Sequence, residues 1–170
     1  MRPEYAGTPI YVLAGFRSAM VAAKMGLGVI LGGPVATQEA AARVYREHAL
    51  ADAPPVISSL NIAVADTSAA ARDLLLPEAY AKVLAQSTGE FAALRPAGEL
   101  DMDALTGQQR RRIEEALAHD VWGTVEEVGE ELRDVGKRLG VSEFVVTGDM
   151  PDVAGRARSE ELLASLQAEN

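Results

Sequence analysis

Ala14-Gly15-Phe16-Arg17-Ser18-Ala19 is the stretch of this 170-residue chain with the clearest capacity for chemistry. It joins an apolar, β-branched run, Pro9 to Gly15, to a small apolar segment, Ala19 to Met25, that stops at Gly26. A strand that turns directly into a helix leaves backbone N–H groups unpaired at the positive end of the helix dipole. Such an end accepts a phosphate. Gly15 would let the backbone approach the anion closely, Arg17 adds a positive charge, and Ser18 adds a hydroxyl. The plain alternative is that Ser18 is an N-cap for the helix and Gly15 a turn residue.

Other candidate groups point to no reaction. Gly26-x-Gly28-x-x-x-Gly32 has the look of a dinucleotide loop, but its glycines flank a strand instead of following one and opening a helix. Ser59 and Asn61 share the more polar face of a strand, where they either line a polar cavity or fill a packed interior. Arg110-Arg111-Arg112 lies beside Glu114 and Glu115, the pattern of a solvated, salt-bridged helix face. His119 reads as a complement to the negative end of a helix, and His48 as a structural residue. No nucleophilic triad or paired carboxylates stand out, so no catalytic residue is assigned.

Composition narrows the field further. The chain has no cysteine and two histidines, which excludes disulfides, thiolate metal sites and a histidine cage, and no metal is expected. Its formal charge of −9, from 25 acidic and 16 basic residues, argues against nucleic acid and anionic membranes as partners. Met1-Arg2-Pro3-Glu4-Tyr5 lacks a basic segment followed by an apolar one, and no apolar run is long enough to span a bilayer. A cytoplasmic location is expected.

The elements that must position these groups alternate. Gly28 to Gly33 forms a second short apolar run, and Thr37 opens a helix from Gln38 to about His48. From Val56 the chain alternates strictly, with Val56, Ser58, Leu60, Ile62 and Val64 on one face. Asp66-Thr67 caps a helix from about Ser68 that Pro77 interrupts or re-initiates. Residues 87–107, with Gly89, Pro96, Gly98 and Gly107, read as a long loop insertion. A helix covers Gln108 to about His119, and Thr124-x-x-Glu127 is a capping box for a helix ending at Gly140. Phe144 to Thr147 is a fourth strand, and a last helix runs from about Asp152 towards Leu166. Strands alternating with helices predict an α/β fold with a parallel sheet.

Several segments together resemble the bacterial-luciferase-like, flavin-dependent oxidoreductases. Tyr11 to Ala19 with Ala22 to Leu27 resembles the family's strand-turn-helix at the flavin phosphate. Leu60 to Thr67 resembles a later strand and helix start, and Val121-Trp122-Gly123-Thr124-Val125-Glu126-Glu127-Val128 its "GTPE-V" helix opening. Gly140 to Thr147 and Arg158-Ser159-Glu160-Glu161-Leu162-Leu163-Ala164 resemble its final strand and helix. The likeness spans nearly the whole chain. The family commonly has two small polar residues where Ala14-Gly15 stands, and an aromatic or polar residue where Gly32-Gly33 stands.

The resemblance implies a TIM-barrel-like fold, FMN or the deazaflavin F420 as cofactor, and flavin-dependent monooxygenase or oxidoreductase chemistry on a small-molecule substrate. Matching positions give Ala14, Gly15 and Ser18 as holders of the flavin phosphate, the first two through backbone groups, with Arg17 beside them. A barrel needs eight strands and about 250 residues. Four strands over residues 1–170 therefore correspond to the C-terminal half of the family's chain, as a single half-barrel domain. That expectation carries two more: a non-catalytic half-barrel acting by self-association, or a protomer that needs a complementary half-barrel.

Overall fold

The computed structural model describes residues 8–168, and Met1 to Tyr5 of the leader reading lie outside them. The chain divides into two compact units, residues 1–59 with 135–145 and residues 60–134 with 146–170. The element order is α/β throughout, with short strands separated by helices.

In the first unit, strands β1 (Tyr11–Ala14), β2 (Gly28–Leu31) and the start of β3 (Val56–Val64) run parallel, with Leu13 beside Ile30 and Ile30 beside Ile57. Helices α1 (Phe16–Lys24) and α2 (Val35–His48) follow β1 and β2. Their small side chains, Ala19, Ala22, Ala23, Ala41 and Ala42, pack with Val29, Leu31 and Val56 from one face of the strands. Small residues on both helices let them lie close to the sheet and to each other. Tyr45 is buried in the same cluster, and its hydroxyl stands 2.9 Å from the carbonyls of both Leu27 and Pro54. Burial, reinforced by Tyr11, raises its pKa above the usual phenolic value. Tyr11 lies so close over Gly28 that a Cβ there would come within 2.5 Å of its ring.

Two expectations need correction in this unit. The helix after β1 begins at Phe16, not Ala19, and the one after β2 begins at Val35, not Gln38. Gly15 and Pro34 are the N-caps and neither carries a capping side chain; Ser18 stands at the third helical position, where its Oγ accepts the Gly15 N–H.

In the second unit, the end of β3 pairs in parallel with β4 (Val121–Gly123), Ile62 beside Val121 and Val64 beside Gly123. This strand was not expected: three residues carry no readable alternation, and only pairing with β3 defines them. Helix α3 (Ser68–Thr88) opens on Thr67, whose hydroxyl accepts from the Ala70 N–H, and closes on Gly89 at φ 75°. Pro77 neither interrupts nor restarts it. An interior proline costs about 3 kcal/mol. Leu74, Leu75, Leu76, Ala79 and Tyr80 are all buried around it, and each large apolar side chain contributes about 1.5–3 kcal/mol. Packing outweighs the break.

After Gly89 the chain holds only a short 3-10 turn, Ala97–Glu99, before helix α4 (Gly107–Leu117), which Thr106 and Gln109 cap reciprocally. The basic run on α4 is solvated as expected, but among the described residues no ion pair joins it to Glu114 or Glu115. Arg112 donates to Gln86 and Arg110 to the Asp103 carbonyl, while Glu114 takes Arg72 of α3. Helix α5 (Val125–Leu139) starts with the expected box: the Thr124 N–H donates to Glu127 at 2.8 Å, and Ser68 donates to the same carboxylate. These bonds hold the Glu127 carboxyl below its usual pKa, Ser68 first. The last turn of α5 belongs to the first unit, where Arg46 of α2 donates to the Leu139 and Gly140 carbonyls. A cation there satisfies the orphan carbonyls at the negative helix end.

Strand β5 (Phe144–Thr147) pairs with β3, and α6 (Val153–Ala168) ends the described chain. Ser159 of α6 is buried and accepts the Val64 N–H at 2.8 Å. Among the described residues no helix is long and apolar enough to cross a membrane.

Candidate functional site

The turn after β1 brings all four predicted residues into one helical turn of the first unit. Ala14 ends the strand in register with Leu31 and is buried. Gly15, Arg17 and Ser18 are exposed. Ser18 sits at the third helical position and points back: its Oγ accepts the Gly15 N–H at 2.9 Å and lies 3.2 Å from the Gly15 carbonyl. The first helical bond is from the Ala19 N–H to the Gly15 carbonyl. The N–H groups of Phe16, Arg17 and Ser18 are thus left over, as every helix start requires. No acidic residue stands in this first turn, and among the described residues no ion pair takes Arg17.

Gly15 has an ordinary extended backbone, φ −99° and ψ −169°, and a Cβ placed on it would meet nothing within 4 Å. Among the described residues neither strain nor packing demands a glycine here. The space above it is open, beside three spare N–H donors and a guanidinium. A phosphate group fits that cradle on charge and on space. Ser18 is the least available of the four, since its hydroxyl is engaged with Gly15.

The end of β2 lies beside the end of β1 and is built in a similar way. A Cβ on Gly32 or Gly33 would also meet nothing within 4 Å, and Gly33 holds φ 85°, which favours glycine. This turn is pinned by a residue that sequence reading passed over. Gln38 of α2 is fully buried, donates to the carbonyls of Gly33 (2.8 Å) and Ser59 (3.2 Å), and accepts from Ser58 Oγ (2.7 Å). Every polar atom of that amide is matched, as burial requires. A glutamine inside an alanine-rich helix face was the available signal. It also settles part of the Ser59 question: the carbonyl, not the hydroxyl, is what Gln38 holds.

The opposite face of the first unit's strands is apolar and partly exposed. Leu13, Ile30 and Ile57 form one register-aligned row, with Leu13 79% exposed. His48 Nδ1 lies 2.9 Å from the Val44 carbonyl of its own helix. In the second unit, Asn61 is bonded to Asp120 and Thr147. A cleft of about 300 Å³ opens there between Asp73, Leu74, Pro77, Pro96 and Pro151. Among the described residues no three potential metal ligands cluster.

Short parallel strands, each followed by a helix, define an α/β protein. The luciferase-like monooxygenase family matches the chain over residues 1–143, and the chain belongs to that family. Apo-MsnO8 shares the fold at TM-score 0.75 and 23% identity, over 98% of this chain and 54% of that one. The oxygenating constituent of 3,6-diketocamphane monooxygenase from Pseudomonas putida, in complex with FMN, matches at TM-score 0.62 and 15% identity, over 91% and 46%. A riboflavin lyase, with modified FMN and riboflavin, matches at TM-score 0.54 and 20% identity, over 90% and 41%. The chain thus spans about half the length of these structures. No curated protein sequence matches it.

Proposed function

We propose that this chain is the cofactor-phosphate-binding half of a flavin-dependent monooxygenase or oxidoreductase, and that it corresponds to the C-terminal half of the family's barrel. The open cradle above Gly15 carries the reading, supported by family membership. FMN is the favoured cofactor, because two of the similar structures hold it or a modified form of it. F420 is the alternative within the same chemistry. Reduced flavin would supply the electron pair that takes one atom of dioxygen to water while the other atom is transferred to a small organic substrate. The chain's own residues would hold the phosphate: the Phe16, Arg17 and Ser18 N–H groups by hydrogen bonds, the Arg17 side chain by charge, and Ala14 by fixing the turn at the strand end. Gln38 would hold the neighbouring Gly32-Gly33 turn in place. The cytoplasm is the proposed location.

The test is a titration of FMN and riboflavin, oxidised and reduced, into the full chain. FMN should bind at least ~10-fold tighter than riboflavin, since each charge-assisted bond to phosphate is worth about 1.5–3 kcal/mol. Equal affinity for the two would remove the phosphate cradle, and stronger competition by F420 would select the deazaflavin. The Leu13–Ile30–Ile57 row, with Leu13 exposed and the two isoleucines half-buried, favours a second reading, a half-barrel that works only with a second copy or a complementary half. A stable, flavin-free monomer in size-exclusion chromatography with light scattering would sink it.

A further inference from the structure

Within the second unit, three polar side chains from separate strand segments are joined end to end. Asn61 on β3 and Asp120, which precedes β4, stand side by side, one residue before the Ile62–Val121 pair. Asn61 Nδ2 donates to Asp120 Oδ1 at 3.0 Å. Thr147 Oγ1, at the end of β5, donates to Asn61 Oδ1 at 2.9 Å. Asp120 and Asn61 are half-buried, and Thr147 is exposed. The charged groups around Asp120 are Glu78 and Lys82 of α3 and its neighbour His119. Glu78 and Lys82 pair with each other, and Glu78 also accepts the Asp149 N–H. Burial pushes the Asp120 carboxyl up to about 6, the Asn61 bond opposes it, Glu78 adds to the rise, and Lys82 and His119 lower it.

We propose that Asp120, Asn61 and Thr147 form a proton-linked relay, in which protonation of Asp120 turns the Asn61 amide over and frees the Thr147 hydroxyl to donate outward. An ionised Asp120 only accepts, so Asn61 must present its NH2 there and its oxygen to Thr147. A proton on Oδ1 sets two donors against each other. Rotating the amide about its terminal bond relieves this: Oδ1 then accepts from Asp120, and Nδ2 donates to Thr147. Thr147 becomes an acceptor from Asn61, and its own O–H is released towards solvent. Among the described residues Asn61 makes no third hydrogen bond that would resist the turn. Thr147 stands at the C-terminal end of its strand, the end at which barrel folds carry their sites. A ligand with an acceptor atom there would therefore be held more firmly below the titration midpoint than above it.

NMR on the full chain between about pH 4 and pH 8 tests this across the carboxylate-to-imidazole range. The Asp120 carboxyl carbon, the Asn61 side-chain nitrogen and the Thr147 β-carbon should titrate with one midpoint near about 6. Asp120→Asn should flatten the Asn61 and Thr147 curves, and His119→Gln should keep all three, with their shared midpoint moved up because a group that lowers the Asp120 pKa is gone. Asn61→Ala should keep the Asp120 titration and flatten that of Thr147. A proton taken on Oδ2 would leave Asn61 unturned, and Asp120 titrating alone would overturn the relay. A Thr147 titration that survives in Asn61→Ala would do the same. Asp120→Asn, nearly isosteric with the native residue, gives an independent decision: Thr147 must fall silent in it.

Discussion

Gln38→Ala is the sharpest perturbation of the framework under the candidate site. It removes an amide that is 1% exposed and makes three hydrogen bonds, to Gly33, Ser59 and Ser58. Two carbonyls and one hydroxyl then lose their partners, each at a cost of about 1–3 kcal/mol. Water entering the space recovers part of this, so we expect a loss of about 3–5 kcal/mol. At about 2–4 °C per kcal/mol for a chain of this size, the melting temperature falls by about 6–20 °C. Ser58→Ala removes only one of the three bonds and should cost about 1–3 kcal/mol. In the double variant the two costs should fall short of additive by about 1–2 kcal/mol, because the Ser58–Gln38 bond is counted in both. Urea unfolding measures all three, and hydrogen exchange at Gly32 and Gly33 reports the turn directly. If Gln38→Ala costs less than about 1 kcal/mol, or if exchange at those glycines does not change, Gln38 is not what pins the β2 turn.

Three further outcomes follow from named contacts. Gly15→Ala should leave thermal stability unchanged, since its Cβ meets nothing within 4 Å, yet weaken FMN binding at least ~10-fold by filling the cradle; a destabilised variant with unaltered binding would refute that assignment. Ser159→Ala should cost about 1–3 kcal/mol in urea unfolding by orphaning the Val64 N–H, and a neutral result would mean that this N–H is hydrated. Asp120 has a folded pKa raised from 3.8 to about 6, so its protonation stabilises the fold fully below its ordinary pKa, and that stability is lost as pH rises through about 6. Solvent screening of a half-buried group reduces the nominal ~3 kcal/mol to about 1–2 kcal/mol. Asp120→Asn, with no proton to lose, should therefore gain on the wild type by that amount between about pH 4 and pH 8, and parallel melting curves at both ends would contradict the raised value.

Much of this architecture follows from residues close together in sequence. The alternation from Val56 to Val64 appears as one strand because successive side chains must point to opposite faces. The Thr124–Glu127 box and the glycine at 89 mark helix ends because caps are made by residues within about one turn. The β1 turn belongs to the same class, although Ser18 proved to face back onto Gly15 instead of opening the helix.

What only the tertiary structure decided involves partners far apart in the chain. β4 exists because the far end of β3 supplies its hydrogen bonds, and Pro77 stays helical because buried leucines and a tyrosine surround it. Ser58 finds Gln38, Asn61 finds both Asp120 and Thr147, and Val64 finds Ser159, across 20 to 95 residues. Polar side chains and strand edges carry no period that reveals such partners. Local sequence determined the strand-turn-helix units and the helix starts that follow their strands. Burial decided which polar groups must meet, because a group removed from water has to find its hydrogen bond wherever the fold places one.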